Sequence, residues 1–227
     1  RGKEAWAVLE RVAAENGTTI PEGEREISAP SHQWKMRDLF SPNLRRTTLL
    51  LWCVWFLISI GYYGAFTWLP SWFRVKGFAL PSVYPNTVIM ALAQIPGYFS
   101  AAWLVTRWGK KNTLGVYLIA SGAFAWLFAL ASTPLMVVLS AVALSFFALG
   151  AWGALYACTP EAYPTGIRTT GIGAASGWTR IAGVIAPTIG TLVAGQSLLV
   201  PLAVFALAYA AAGLSSFALK EPNPSAR

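Results

Sequence analysis

The sequence predicts an all-α membrane protein: a bundle of six membrane-spanning helices preceded by short cytoplasmic amphipathic helices. Three observations predict this class. Hydrophobic residues make up 56% of the 227 residues and charged residues only 11%, whereas soluble domains carry about 25% charged residues. The apolar residues fall into six runs, each close to the ~20 residues that a spanning helix requires. Seven of the nine acidic residues precede residue 40, so the apolar part carries almost no negative charge.

Residues 1–46 are the long polar segment and are expected to form a cytoplasmic linker. Apolar residues recur at helical spacing from Trp6 to Ala13, which predicts a short amphipathic helix that ends at Gly17. A second short element, HQWKMRDLFSP, lies just before the first apolar run. This element is either a solvated linker or a helix docked on the membrane domain.

Residues 47–219 are expected to form the transmembrane bundle, and residues 220–227 a cytoplasmic tail. The six runs lie at roughly 47–72, 85–106, 112–131, 134–157, 168–194 and 198–219. Proline, glycine or charged residues separate them, as in the RWGKK and PEAYPTG turns. Cys53 and Cys158 both fall inside apolar runs, so no disulfide is predicted.

The basic residues predict the orientation of the helices. With both ends in the cytoplasm, fourteen lysines and arginines lie on the cytoplasmic side, and only Arg74 and Lys76 on the other. This asymmetry is the positive-inside pattern of a multi-pass protein in a plasma or inner membrane. It also accounts for the net charge of +8, so a nucleic-acid partner is not expected.

Arg180 is the one charged residue deep inside an apolar run. It follows Arg168 by twelve residues, which at ~1.5 Å per residue places it about 17 Å beyond the charged turn, near the middle of a bilayer. A charge there costs about 2.5–3.5 kcal/mol on insertion scales, so it normally faces an aqueous cavity or a partner. The alternative is a structural cation bonded to helix-end carbonyls.

Aromatic residues accompany this cation. Trp152 and Tyr156 are one helical turn apart, and an aromatic stripe that includes Tyr62 follows one face of the first spanning helix. Such stripes are either core or, together with Arg180, the lining of an anion site. The helices carry no central carboxylate, so a pocket in them favours a negative ligand. A neutral sugar is less supported because only Gln94 is plainly placed to bind one.

A second group of charged residues is expected at the cytoplasmic boundary. Its members are Glu161, Arg168, Arg107, Lys110 and Lys111. Partly desolvated pairs at this level can hold helices together and break when the helices part. The alternative is that these residues only enforce topology.

An enzyme is the least supported class. His32 is the only histidine, and no Ser-His, Cys-His or metal-ligand cluster is present in the sequence. No catalytic residue, no metal site and no cofactor are therefore expected.

The motifs PEAYPTGIRTTGIG, RWGKK and LFSPNLRRTTLLLW resemble the carboxy-terminal half of a major facilitator superfamily transporter, in the branch of organic-ion, niacin and metabolite:proton symporters. The resemblance covers essentially the whole chain, which looks like a piece of a longer protein. It implies two six-helix halves that rock around a midplane site. The expected partners are the amino-terminal six-helix half, a small organic anion and the lipid bilayer.

The resemblance also implies a set of substrate-binding residues on the first, second, fourth and fifth spanning helices. These are Arg180, Tyr62, Tyr63, Gln94, Tyr98, Trp152 and Tyr156. Gln94 and Tyr98 stand where this branch has charged residues, and Thr106 replaces the acidic residue that usually precedes the arginine of the loop motif.

The resulting expectation is half of a secondary transporter that moves a small organic anion, possibly an aromatic carboxylate, by alternating access with proton coupling. The alternatives are a sugar or neutral-metabolite porter, or a transporter-like receptor or scaffold without flux.

Overall fold

The computed structural model of the protein describes residues 2–18, 34–192 and 198–219. These residues form helices and no strand. In chain order they are α1 (Gly2–Glu15), a 3₁₀ helix (Met36–Phe40), α2 (Arg45–Val75), α3 (Leu80–Trp108), α4 (Lys110–Leu130), α5 (Pro134–Glu161), α6 (Arg168–Leu192) and α7 (Leu199–Phe217). The chain divides into two compact units, Arg1–Lys35 and Met36–Arg227. The all-α class predicted from the sequence is confirmed, while the predicted tail, 220–227, lies outside the described residues.

The first unit contains the amphipathic helix α1. Its last turn carries a hydrogen bond from Arg11 Nε to Glu15 Oε1 at 3.1 Å. Gly17 follows with a φ of +63°, a left-handed conformation that glycine adopts without steric cost and that commonly ends a helix. The sequence signal at Gly17 therefore marks the helix end correctly.

The second unit contains six long helices, α2 to α7, where six apolar runs were predicted. Five of them, all except α6, are long and apolar enough to cross a membrane within the described ranges. Helix α6 differs because its 25 residues include five threonines, five glycines and two arginines. These residues lower its hydropathy, and among them Thr179 and Arg180 line a recess.

Helices α3 and α5 extend furthest beyond their predicted limits, because proline does not always end a helix. Helix α3 begins at Leu80 rather than near residue 85, with Pro81 in its first turn, where the missing N–H is not needed. Helix α5 continues through Pro160 to Glu161. Proline inside a membrane helix is tolerated because neighbouring groups satisfy the freed carbonyl.

Neighbouring helices follow one another in space in the order α3, α5, α4, α7, α2, α6. Small residues allow the closest approaches: the Phe205 ring of α7 occupies the space that a side chain at Gly64 of α2 would need. Helices α3 and α6 lie at the two ends of this order. Each therefore packs mainly against one neighbouring helix, α3 against α5 and α6 against α2. The inner faces of α2 and α5 lie between them.

The 3₁₀ helix decides between the two interpretations of the segment before α2, because it is docked on the bundle. Leu39 is fully buried, and the Thr48 hydroxyl donates to its carbonyl at 2.9 Å. Phe40 packs edge-on against Trp52, with ring centroids 5.4 Å apart. The residues from Met36 onward thus belong to the membrane unit.

Candidate functional site

An aromatic recess lies where α2, α3, α5 and α6 approach one another. Its volume is about 180 Å³. The residues that line it are Tyr62, Tyr63, Tyr98, Leu149, Trp152, Tyr156 and Thr179. The structure therefore brings together five of the seven substrate-binding residues implied by the sequence.

A second, polar recess of about 200 Å³ adjoins the first and contains a sixth predicted residue, Arg180. Its lining consists of Trp55, Tyr63, Tyr156, Gly173, Ser176, Gly177, Thr179 and Arg180. Tyr63, Tyr156 and Thr179 line both recesses. Gly173 and Gly177 border open space, since nothing lies within 4 Å of where their Cβ atoms would be.

Arg180 is exposed to the recess. No described residue forms a hydrogen bond or an ion pair with its guanidinium group, and no described helix-end carbonyl caps it. The group can donate five N–H bonds in a planar fork that matches a carboxylate. The polar recess therefore offers a cation in an otherwise uncharged lining.

The aromatic side chains that line the first recess form an aromatic wall, and its rings contact one another. Tyr62 stacks on Phe66 at 4.5 Å between centroids and meets Trp152 edge-on at 5.9 Å. Trp152 is only 6% exposed, whereas Tyr98 and Tyr156 are 41% and 56% exposed. The wall thus contains one buried ring, Trp152, and two accessible rings, Tyr98 and Tyr156.

Hydroxyl groups connect α2 to α5 and α6, and sequence reasoning missed Thr159 and Thr179 as residues near the site. Ser59 Oγ lies 2.6 Å from the Trp55 carbonyl oxygen and 3.2 Å from Thr179 Oγ1. Trp55 Nε1 donates to Thr159 Oγ1 at 3.0 Å. Thr179 directly precedes Arg180, and this adjacency is the one sequence signal that could have found it.

Gln94, the seventh predicted residue, lines neither recess. Its amide Nε2 donates to Ser145 Oγ at 3.0 Å, and Ser145 Oγ donates to the Met90 carbonyl at 2.8 Å. The side chain thus bonds α3 to α5. Ser145 is fully buried and therefore needs such partners, so this bond contributes to the packing of the two helices.

The structure brings two of the five predicted gate residues into contact: Lys110 Nζ, at the start of α4, pairs with a carboxylate oxygen of Glu161, at the end of α5. About 30% of each side chain is exposed. Arg107 instead lies over the Trp103 ring, 5.6 Å from its centroid. The other two are Arg168, whose Nη2 lies 3.5 Å from Thr165 Oγ1, and Lys111, which is half-buried at the start of α4.

Long apolar helices around adjoining polar and aromatic recesses define a multi-pass membrane protein with an open site among its helices. Comparison with known protein families identifies the family to which it belongs. Residues 86–227, more than half of the chain, match the Major Facilitator Superfamily, and the chain belongs to this family of transporters. The resemblance found in the sequence motifs is thereby confirmed.

Several curated proteins are similar to this chain. A Bacillus subtilis protein whose name proposes transport of niacin or nicotinamide is 42% identical over 78% of this chain and 46% of its own length. The niacin transporter NiaP of Acinetobacter baylyi is 45% identical over 72% of this chain and 37% of its own length. The synaptic vesicle 2-related protein of Bos taurus is 31% identical over 94% of this chain and 43% of its own length. The chain therefore spans less than half the length of these relatives.

Proposed function

We propose that this chain is the carboxy-terminal half of a secondary transporter for a small organic anion, specifically an aromatic carboxylate. The observation that carries the proposal is Arg180, which is exposed in a polar recess next to an aromatic one. A carboxylate would accept a bidentate pair of hydrogen bonds from the guanidinium group. The attached ring would then lie against the tyrosines shared by the two recesses.

Electrostatics favours this ligand class over the others. The described helices place one cation and no carboxylate beside the recesses, so an organic cation would be repelled. A hexose would need several donors and acceptors, but the amide of Gln94 is already bonded to Ser145. Niacin, named for the Acinetobacter relative, is itself an aromatic carboxylate, which supports the same class.

The transport cycle would need a second half. An amino-terminal bundle of six helices would face α2, α3, α5 and α6, complete the site at the bilayer midplane, and rock against this half. Proton coupling would use a carboxylate on that bundle. The excess of basic residues on one side predicts that both ends of this chain face the cytoplasm of a plasma or inner membrane.

Ligand-induced thermal stabilisation of the purified full-length protein tests this proposal. Benzoate and nicotinate should raise the melting temperature, whereas glucose and tetraethylammonium should not. Arg180→Gln should weaken carboxylate binding about 10- to 100-fold, because a charge-assisted hydrogen bond contributes about 1.5–3 kcal/mol.

Arg74→Gln is the matched control, since Arg74 is an exposed arginine at the end of α2 and lines neither recess. It should leave carboxylate binding unchanged. Stabilisation by glucose alone would indicate a sugar porter and overturn the anion assignment. Carboxylate binding without uptake into proteoliposomes would indicate a receptor or scaffold.

A further inference from the structure

We propose that Thr179, oriented by Ser59, determines specificity by selecting aromatic acids whose ring carries a hydrogen-bond donor, such as a hydroxyl or amino group. This inference rests on the proposed function, since it assumes that the carboxylate binds at Arg180. It adds a second polar contact that distinguishes one aromatic acid from another. Neither Thr179 nor Ser59 was among the residues implied by the family resemblance.

Proton counting sets the direction of the hydrogen bond between these residues. Ser59 has one hydroxyl proton and two oxygen neighbours: the Trp55 carbonyl at 2.6 Å and Thr179 Oγ1 at 3.2 Å. A carbonyl can only accept, and it is the nearer neighbour, so the proton of Ser59 goes to Trp55. Thr179 must then donate its own proton to Ser59 Oγ.

This assignment leaves Thr179 as an acceptor toward the ligand. Ser59 is fully buried, whereas Thr179 lines both recesses. Thr188 and Thr191 of the same helix donate to backbone carbonyls of α6, but no such bond from Thr179 occurs in the described part of α6. The lone pairs of Thr179 Oγ1 therefore face the site next to the Arg180 guanidinium group.

The ligand that satisfies both residues has an anionic end and a ring donor. A ring hydroxyl can donate to Thr179 Oγ1, whereas an unsubstituted phenyl ring makes no polar contact there. A pyridine nitrogen can only accept a hydrogen bond. It would therefore be repelled by the lone pairs of Thr179 Oγ1, unless the hydrogen bond from Thr179 to Ser59 broke. The site thus favours hydroxybenzoates over benzoate, and nicotinate gains nothing from its ring nitrogen.

Binding of benzoate, the three hydroxybenzoate isomers and nicotinate to the full-length protein tests the inference. At least one hydroxybenzoate should bind about 2- to 10-fold more tightly than benzoate, because a neutral hydrogen bond contributes about 0.5–1.5 kcal/mol. Thr179→Val has nearly the same shape and lacks the hydroxyl. It should abolish this advantage, so that the ratio of hydroxybenzoate affinity to benzoate affinity falls to about one.

Thr188→Val is the matched control, since the Thr188 hydroxyl is exposed and donates to the Val184 carbonyl at 3.0 Å. It should preserve the preference for a hydroxybenzoate. The inference is overturned if no isomer exceeds benzoate, or if Thr179→Val weakens benzoate as much as hydroxybenzoate. A complete lack of binding by all of these acids would instead contradict the proposed function.

Ser59→Ala tests the direction of the bond. Without its acceptor, Thr179 is free to donate to the ligand, so the affinity for nicotinate relative to benzoate should rise about 2- to 10-fold. An unchanged ratio would contradict the orienting role assigned to Ser59.

Discussion

Trp68 and Gly190 form a close contact between α2 and α6, the two helices that carry Tyr63 and Arg180. Trp68 Nε1 donates to the Pro187 carbonyl at 3.1 Å. The indole ring occupies the space in which a Cβ on residue 190 would stand. Because the hydrogen bond fixes the ring, the ring cannot move aside at low cost.

Gly190→Ala should therefore destabilise the protein by about 1–3 kcal/mol, the usual cost of overpacking. The control is Gly173→Ala on the same helix, where nothing lies within 4 Å of the new methyl group. Alanine is the better helix former by about 1 kcal/mol, so this control should be neutral or stabilising. Thermal unfolding in detergent compares the two, and equal melting temperatures would contradict the packing argument.

The sequence predicts the surroundings of some site residues better than those of others. The exposure of Arg180 to a recess could be predicted, because a charge deep in an apolar run is costly unless it faces a cavity or a partner. Thr179 could not, since most threonines in membrane helices bond their own backbone, as Thr188 does. For Gln94 the sequence shows a polar side chain but not its partner. Ser145, to which it donates, lies 51 positions away, so no local pattern predicts this hydrogen bond.

At the scale of helices, Lys76 joins the end of α2 to the end of α4. Its Nζ donates to the carbonyls of Ala129 and Ala131 at 2.8 and 2.7 Å. The last carbonyls of a helix have no partner within it, and a cation near them also interacts favourably with the helix dipole. Lys76 thus acts as a cap supplied by a different helix.

Lys76→Met keeps most of the side-chain volume but removes both hydrogen bonds. We expect a loss of about 1–2 kcal/mol, less than for a buried charged donor because Lys76 is partly exposed. Melting temperature in detergent measures the effect, with Arg74→Met as a control at an exposed basic residue nearby. A smaller shift for Lys76→Met than for the control would rule out the cap.

The helices themselves were largely predictable because apolar runs of spanning length have few other structures available in a membrane. The limits of α3 and α5 were less predictable, since Pro81 and Pro160 are compatible with helix and the sequence suggested breaks. The docking of the 3₁₀ helix was also open. It depends on the contact of Leu39 with Thr48 and on the aromatic pairing of Phe40 with Trp52, which no local pattern specifies.

At the scale of the membrane unit, α3 is the least buried of the five candidate spans. Only 17% of its most apolar stretch is buried, compared with 50–56% for the other four candidate spans. Large apolar side chains such as Leu92 and Phe99 are 58% and 73% exposed. We expect the lipid bilayer and the proposed amino-terminal half to cover this face.

The pair formed by Lys110 and Glu161 gives the proposed transport cycle its most direct test. Rocking of two halves requires cytoplasmic contacts that hold in one state and break in another. If this pair supports the closed cytoplasmic side, Glu161→Lys should raise the labelling rate of Ser176→Cys, a reporter in the polar recess, by a membrane-impermeant maleimide added from the cytoplasmic side. Cys53 and Cys158 are first replaced by serine.

The expected increase is about two- to tenfold, since a partly exposed ion pair contributes roughly 1 kcal/mol. The exchanged pair, Lys110→Glu with Glu161→Lys, should return the rate toward its original value because it restores the attraction with reversed charges. Arg74→Glu, a charge reversal distant from the pair, should have no effect. If the exchange fails to restore slow labelling, or if Glu161→Lys changes nothing, then these charges set the topology of the helices and do not form a gate.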